Sequence, residues 1–369
     1  MFFETQRMSQ MFRLSQGDFE TYRCAMARLR RSRPDAEGLR RVKRGRGFAY
    51  VDAAGRPAHN DDLERIAALV IPPAWTDVWI CADPFGHLQA TGIDAAGRRQ
   101  YVYHAKWRAH RDRAKFAGML TFAQALAAAR PRINAALDAG DLDEEHVSAL
   151  CVWLLDQGLF RVGGETYAQD NGTHGLATLK REHAVVRGDD VAFSYTAKGG
   201  IPREITITDA RCARAISTMK RRRDPRDDLM AWRVSQNPAR WHDVTSADIN
   251  AAVSQWVHPD ATAKTFRTWH GTVIAAAVLA DSPAASSLSK TARTRVVAGA
   301  MKEVAAALGN TPAVARASYV DPRVIDLWEN GTVIGSRAVP DADSLLPADV
   351  DDSEQQRLER AVCRLLADA

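Results

Sequence analysis

Tyr319 ends the stretch Gly309-Asn310-Thr311-Pro312-Ala313-Val314-Ala315-Arg316-Ala317-Ser318-Tyr319, in which a polar turn leads into a short helical run. A phenol so placed can act as a covalent nucleophile toward phosphorus, provided that fixed cations stabilise the charge that builds on the phosphoryl oxygens during displacement. A lone tyrosine near a proline turn more often simply packs. The chemical reading therefore depends on which other groups could stand with it.

Four segments could supply those groups, in a fixed order along the chain. Leu159-Phe160-Arg161-Val162-Gly163-Gly164-Glu165-Thr166-Tyr167 closes an apolar, helix-like run that includes Val147, Leu150, Leu154 and Leu155. Thr196-Ala197-Lys198-Gly199-Gly200 lies between two strand-like pieces, Val191 to Tyr195 and Arg203 to Thr208, which puts Lys198 at a hairpin tip. Lys264-Thr265-Phe266-Arg267-Thr268-Trp269-His270-Gly271 opens an alanine-rich helical run, and Asn310 precedes the tyrosine by nine residues. Guanidinium groups suit a phosphodiester because they can hold two of its oxygens at once, and an amine can protonate a departing alkoxide.

At these residues the chain resembles the type IB DNA topoisomerases, most closely the short form of poxviruses and bacteria. That family carries an Arg, a Lys on a β-hairpin, a second Arg within Lys-x-x-Arg-Thr, a His or polar substitute, and a Tyr nucleophile. Arg161, Lys198, Arg267, Asn310 and Tyr319 match in order and local context, and Gly175-Leu176-Ala177-Thr178-Leu179-Lys180 also fits. Ile71-Pro72-Pro73-Ala74-Trp75-Thr76-Asp77-Val78-Trp79 and Asp94-Ala95-Ala96-Gly97-Arg98-Arg99-Gln100-Tyr101-Val102-Tyr103 look like the family's DNA-clamping domain, so the resemblance runs from about Gly47 to Asp326.

The resemblance implies an α+β protein: a small sheet-rich N-terminal domain, then a mainly helical catalytic domain with a small β-sheet. It implies that Tyr319 forms a 3′-phosphotyrosyl link, that Arg161 and Arg267 hold the phosphoryl group, and that Lys198 is the general acid. Strand swivelling and religation would then relax supercoils of either sign. Neither metal nor nucleotide cofactor is implied, and the chain carries no G-x-x-x-x-G-K-[ST] loop and no carboxylate cluster of metal-ligand spacing. Arg98, Gln100, Tyr101, Tyr103, Tyr167 and Lys264 match positions that contact duplex DNA, which a monomer would grip as a two-lobed clamp. Strand alternation puts Tyr101 and Tyr103 on one face and Gln100 on the other. Asn310 stands where the poxviral pattern has histidine; its amide can donate a hydrogen bond but carries no charge and exchanges no proton.

The alternatives are a tyrosine site-specific recombinase and a non-catalytic DNA-binding relative. A recombinase shares the Arg, Lys, Arg and Tyr chemistry but carries His-x-x-Arg, where this chain has Lys264 ahead of Arg267, and its DNA-binding domain is usually helical. Retention of all four chemical residues argues against a purely binding role.

Composition is consistent with a polyanionic partner. The chain has 369 residues, 46% of them hydrophobic, and a formal charge of +5. Basic residues cluster from Arg28 to Arg46 and again at Lys220, Arg221, Arg222 and Arg223. The odd set Cys24, Cys81, Cys151, Cys212 and Cys363 shows neither a disulfide framework nor zinc-ligand spacing, which indicates a reducing compartment. With no apolar run long enough to span a bilayer and no signal pattern, the expected location is the cytoplasm, on the nucleoid.

Along the chain, residues 1–46 read as a basic extension that ends in a flexible connection, 47–110 as the sheet-rich clamping domain, 111–338 as the catalytic domain, and 339–369 as a linker and a final amphipathic helix. Strand-like segments run from Asp77 to Cys81, His87 to Ile93 and Arg99 to His104. Alanine-rich helical runs cover Lys115 to Ala139, Glu144 to Leu159, Ala210 to Met219, Asp248 to Val257 and Thr291 to Leu308. Leu358, Ala361, Val362, Leu365 and Leu366 share one face of the last helix.

Overall fold

A computed structural model describes residues 28–368, apart from 166–167, 169–171, 238 and 342–343 and the side chains of 112–114. Tyr167 and most of the basic extension therefore lie outside the described residues. The chain is an α+β protein of two compact units, the first ending at Lys115 and the second beginning at Phe116.

The first unit is built on a five-stranded antiparallel sheet in the order β2-β1-β3-β4-β5. Its strands are β1 (Gly38–Arg44), β2 (Gly47–Val51), β3 (Thr76–Cys81), β4 (Leu88–Ile93) and β5 (Arg99–Tyr103). Leu39, Val78, Ile80 and Ala90 bury one face against Ile66 of helix α1 (Asn60–Ala68). β1 corrects the expectation of a flexible basic connection. Gly-Leu-Arg-Arg-Val-Lys-Arg pairs with both β2 and β3, with Arg40 opposite Val51 on one side and Trp79 on the other. Only Leu39 of this strand is buried, so its sequence has the charge of a surface segment while its backbone is central to the sheet.

After α2 (Ala105–Ala117) the second unit is mainly helical: α3 (Met119–Ala139), α4 (Glu144–Gly158), α5 (Ala210–Arg221), α6 (Ser246–Trp256), α7 (Ala263–Ala280), α8 (Lys290–Leu308), α9 (Pro312–Ser318), α10 (Pro322–Glu329) and α11 (Asp352–Ala367). A three-stranded antiparallel sheet, β6 (Ala184–Arg187), β7 (Asp190–Ala197) and β8 (Ile201–Thr208), is inserted between α4 and α5, and a hairpin of β9 (Ala231–Gln236) and β10 (Ala239–Asp243) follows α5.

Helix α7 is the axis of this unit. Nearly every residue from Phe266 to Leu279 is buried, which an amphipathic surface helix cannot achieve and a central one requires. Its alanines let α3, α4, α6, α8, α10 and α11 approach from different sides. The last helix docks on α3 and α7 through Leu358, Val362 and Leu366.

Polar groups fasten this core as well. Arg130 of α3 donates to both oxygens of Asp156 on α4, at 2.8 and 3.1 Å, and to both oxygens of Glu359 on α11, at 2.7 and 2.8 Å. His270 of α7 lies 2.8 Å from the same Asp156 carboxylate. Burial would raise the Asp156 pKa, but Arg130 and His270 hold it well below the ordinary carboxylate range. That stabilisation is therefore complete above the unfolded-state value of about 4 and is lost only as pH falls further, toward the depressed folded-state value.

Glu359→Ala should lower unfolding free energy by about 3–5 kcal/mol, because it strips one carboxylate from a buried guanidinium. Urea denaturation at neutral pH measures this, and a loss below about 1 kcal/mol would mean that the pair contributes no more than a surface salt bridge.

Candidate active site

The carboxyl end of α8 organises the site. A helix leaves its last carbonyls without intrahelical donors, and here guanidinium groups come to them. Arg203 on β8 donates to the carbonyls of Ala306 (3.1 Å) and Ala307 (2.6 Å), and Arg267 on α7 to that of Leu308 (2.7 Å). Arg161 donates to the carbonyl of Gly309 (2.9 Å), the left-handed residue that ends the helix. Arg161 also donates to Oδ1 of Asn310. Three arginines from distant parts of the chain thus meet on four consecutive carbonyls.

Each predicted arginine is fixed by this arrangement. Arg267 gives one terminal nitrogen to Leu308 and the other to the carbonyl of Leu159, while its Nε, buried, has no partner among the described residues. The Asn310 amide accepts through Oδ1, and its buried Nδ2 is a donor without a partner among the described residues. A buried donor without an acceptor is costly unless something else fills the role. Two of them, beside positive charge, describe a place for an anion.

Tyr319 completes the cluster. It follows α9, whose Thr311 side chain accepts from the Val314 amide and so caps the helix. The Arg267 guanidinium lies 5.1 Å from the centre of the phenol ring and Lys264 Nζ lies 5.9 Å from it. Burial alone would raise the phenol pKa, but Arg267, Arg161 and Lys264 outweigh it and the net shift is downward. Arg267 is itself pushed down to about 10, first by burial and then by repulsion from Arg161. It stays charged at neutral pH, and an arriving anion would relieve that repulsion.

Two glycines of the motifs are explained by close approach. A Cβ on Gly271 would sit 2.8 Å from the carbonyl oxygen of Tyr319 and 3.3 Å from its Cβ, so the glycine lets the tyrosine backbone lie directly on α7. Next to it, the Thr272 hydroxyl accepts from the Asp321 amide at 3.1 Å. A Cβ on Gly175 would meet the Arg161 carbonyl at 2.6 Å, where the 175–177 segment pairs with the backbone of Arg161 and Val162.

Lys198 occupies the tip of the β7–β8 hairpin, between Ala197 and the paired Ile201. A pair close to that tip belongs to the cluster, since Tyr195 pairs with Arg203 and is influenced by Arg203, Arg267 and Arg161. Lys264, expected only as a DNA contact, stands over the candidate nucleophile. In the first unit, Tyr101 and Tyr103 share the exposed face of β5 and stack with centroids 6.2 Å apart, as alternation requires. Asp94 draws in Arg98, through an ion pair, and Gln100, through a 2.8 Å hydrogen bond. Sequence reasoning misses Arg203: it reads as one more strand charge, and only its burial, at 7% exposed, distinguishes it.

The catalytic-core profile described as "Eukaryotic DNA topoisomerase I, catalytic core" matches residues 104–326, well over half of the chain. The chain belongs to the type IB DNA topoisomerases. The profile "Bacterial DNA topoisomerase IB, N-terminal domain" matches residues 47–94. A curated relative, the DNA topoisomerase 1B of Acanthamoeba polyphaga mimivirus, is 26% identical over 300 residues, covering 80% of this chain and 88% of its own. All five predicted catalytic positions of this topoisomerase fall within the matched core, and no helix among the described residues is long and apolar enough to cross a membrane.

Replacing Arg267 with Met should raise the Tyr319 phenol pKa, since burial then acts against weaker positive charge. The Tyr319-dependent part of a phenolate absorbance titration, obtained by subtracting a Tyr319→Phe control, reads this shift. An unchanged midpoint would show that Arg267 does not act on the phenol.

Proposed function

We propose that this topoisomerase relaxes positive and negative supercoils through a transient 3′-phosphotyrosyl link at Tyr319, without nucleotide or metal. The observation that carries the reading is the phenol beneath Arg267 and Lys264, its pKa lowered by them, in a cluster that offers Arg267 Nε and Asn310 Nδ2 as buried donors without a partner among the described residues.

In the forward step the phenol gives up its proton to solvent water and its oxygen bonds to phosphorus, while the bond from phosphorus to the 5′ oxygen breaks. Lys198 protonates that oxygen as it leaves. Charge gathering on the non-bridging oxygens is met by Arg161, Arg267 and Asn310, which the fold has already oriented, so little reorganisation accompanies the reaction. Swivelling of the broken strand follows, and the 5′ hydroxyl then gives its proton back to the neutral Lys198 amine, attacks phosphorus and returns the electron pair to the phenol oxygen. One phosphodiester is exchanged for another of similar energy, so no energy source is needed. Because Asn310 cannot titrate, its contribution is independent of pH.

Duplex DNA is the substrate in this reading, bound by a monomer, with Tyr101 and Tyr103 as groove contacts and Tyr167, six residues after Arg161 in the chain, as a further one. Cytoplasmic, nucleoid-associated action follows from that substrate.

In plasmid relaxation with EDTA and no ATP, the wild type should relax supercoils of both signs. Tyr319→Phe should be inactive, and Arg267→Ala slower by about 10²- to 10³-fold. Relaxation by Tyr319→Phe, or a DNA adduct mapped to another residue, would overturn the nucleophile assignment. DNA affinity should also fall steeply with salt, by several decades between about 50 and 200 mM if six or more phosphates are contacted; a flat response in a binding titration would contradict phosphate-dominated binding.

A further inference from the structure

We propose that Arg203 is a positioning residue for catalysis, acting through the carboxyl end of α8 on Asn310. The inference rests on the phosphoryl-transfer reading above but concerns a residue outside its machinery.

Arg203 is buried, more so than the half-buried Arg161 and less so than Arg267. Among the described residues its guanidinium has no carboxylate partner; it reaches the carbonyls of Ala306, Ala307 and, at 3.5 Å, Gly158, and it interacts with the Tyr195 phenol. Burying a guanidinium beside Arg161 costs desolvation and repulsion, and burial accordingly lowers its pKa. An apolar side chain would fill the same volume without that cost. What only arginine provides is a rigid fork that spans successive carbonyls.

Those carbonyls belong to the turn that delivers Asn310. The amide of Asn310 donates back to Ala305, at 2.9 Å, and that of Gly309 to Ala306, at 3.2 Å. The Arg203 stem lies against Gly309 as well, 3.2 Å from where a Cβ would stand. Arg203 thus holds the last turn of α8 from the strand side while Arg267 holds it from α7. The position of Asn310 Oδ1 in turn fixes one hydrogen bond of Arg161. Since β8 is the returning strand of the Lys198 hairpin, the same side chain ties that hairpin to the turn carrying Asn310.

A double-mutant cycle tests this. Single-turnover cleavage of a duplex nicked so that the released strand is lost should be measured with saturating enzyme for wild type, Arg203→Ala, Asn310→Ala and the double variant, with DNA affinity measured separately. Arg203→Ala should slow cleavage about 10- to 100-fold in the wild-type background but less than about 3-fold when Asn310 is already alanine, because the two would act as one unit. Affinity should change by less than about 3-fold, and Arg203→Lys, which keeps the charge and one donor direction, should recover part of the rate. Equal losses in both backgrounds, or no loss at all, would overturn the proposal. Should Arg203→Ala fail to fold, the cycle run with Arg203→Lys measures the same coupling. Tyr319→Phe assayed in parallel separates the two claims: cleavage by that variant refutes the nucleophile reading, while the cycle still reports whether Arg203 and Asn310 are coupled.

Discussion

Four carbonyls at the end of one helix, Ala306 to Gly309, hold the site together. They form the negative end of α8, where of the four only Ala306 also receives a described backbone donor, the Gly309 amide, and this fold answers them with Arg203, Arg267 and Arg161. The helix end compensates part of the charge that would otherwise drive three neighbouring guanidiniums apart. It does not compensate all of it: the pKa of Arg267 is lowered first by burial and then by repulsion from Arg161. The result is positive charge fixed in orientation yet still short of an anion, which is the electrostatic condition for stabilising a transferring phosphoryl group without reorganisation.

The scaffold behind the site uses ions in the opposite way. Around Arg130, two carboxylates and a histidine satisfy one another within the core, and nothing is left for a ligand. Both arrangements touch α7, through His270 and through Arg267 one turn away. The paired network fixes the helix; the unpaired cluster uses its rigidity. Tyr319 gains its position from the same helix, because Gly271 admits its backbone and Thr272 holds the residue that starts α10.

Much of this is legible in the chain where local pattern and burial coincide. The apolar runs that form α3, α4 and α8, the strands β3 to β5 and the Lys198 hairpin follow from period and turn residues alone. β1 is not legible, since four of its seven residues are basic and its place is set by hydrogen bonds to β2 and β3 rather than by burial. Arg203 is not legible either: its alternation in β8 marks a buried face, but nothing local says that the partner of a buried arginine is a helix end about a hundred residues later. Lys264 reads from the chain as a DNA contact, and its approach to Tyr319 emerges only from the helical spacing of Lys264 and Arg267 on α7 combined with the docking of α9.

The sequence by itself determined the chemical inventory: a phenol, two arginines, a lysine on a tight hairpin and an amide, in an order that points to phosphoryl transfer, because residue type and local turn chemistry are written in the chain. Tertiary structure decided which of those groups share charge, which hydrogens remain free, and that a third arginine belongs with them. Those are properties of distance and burial between segments far apart in the chain, and no local pattern encodes them.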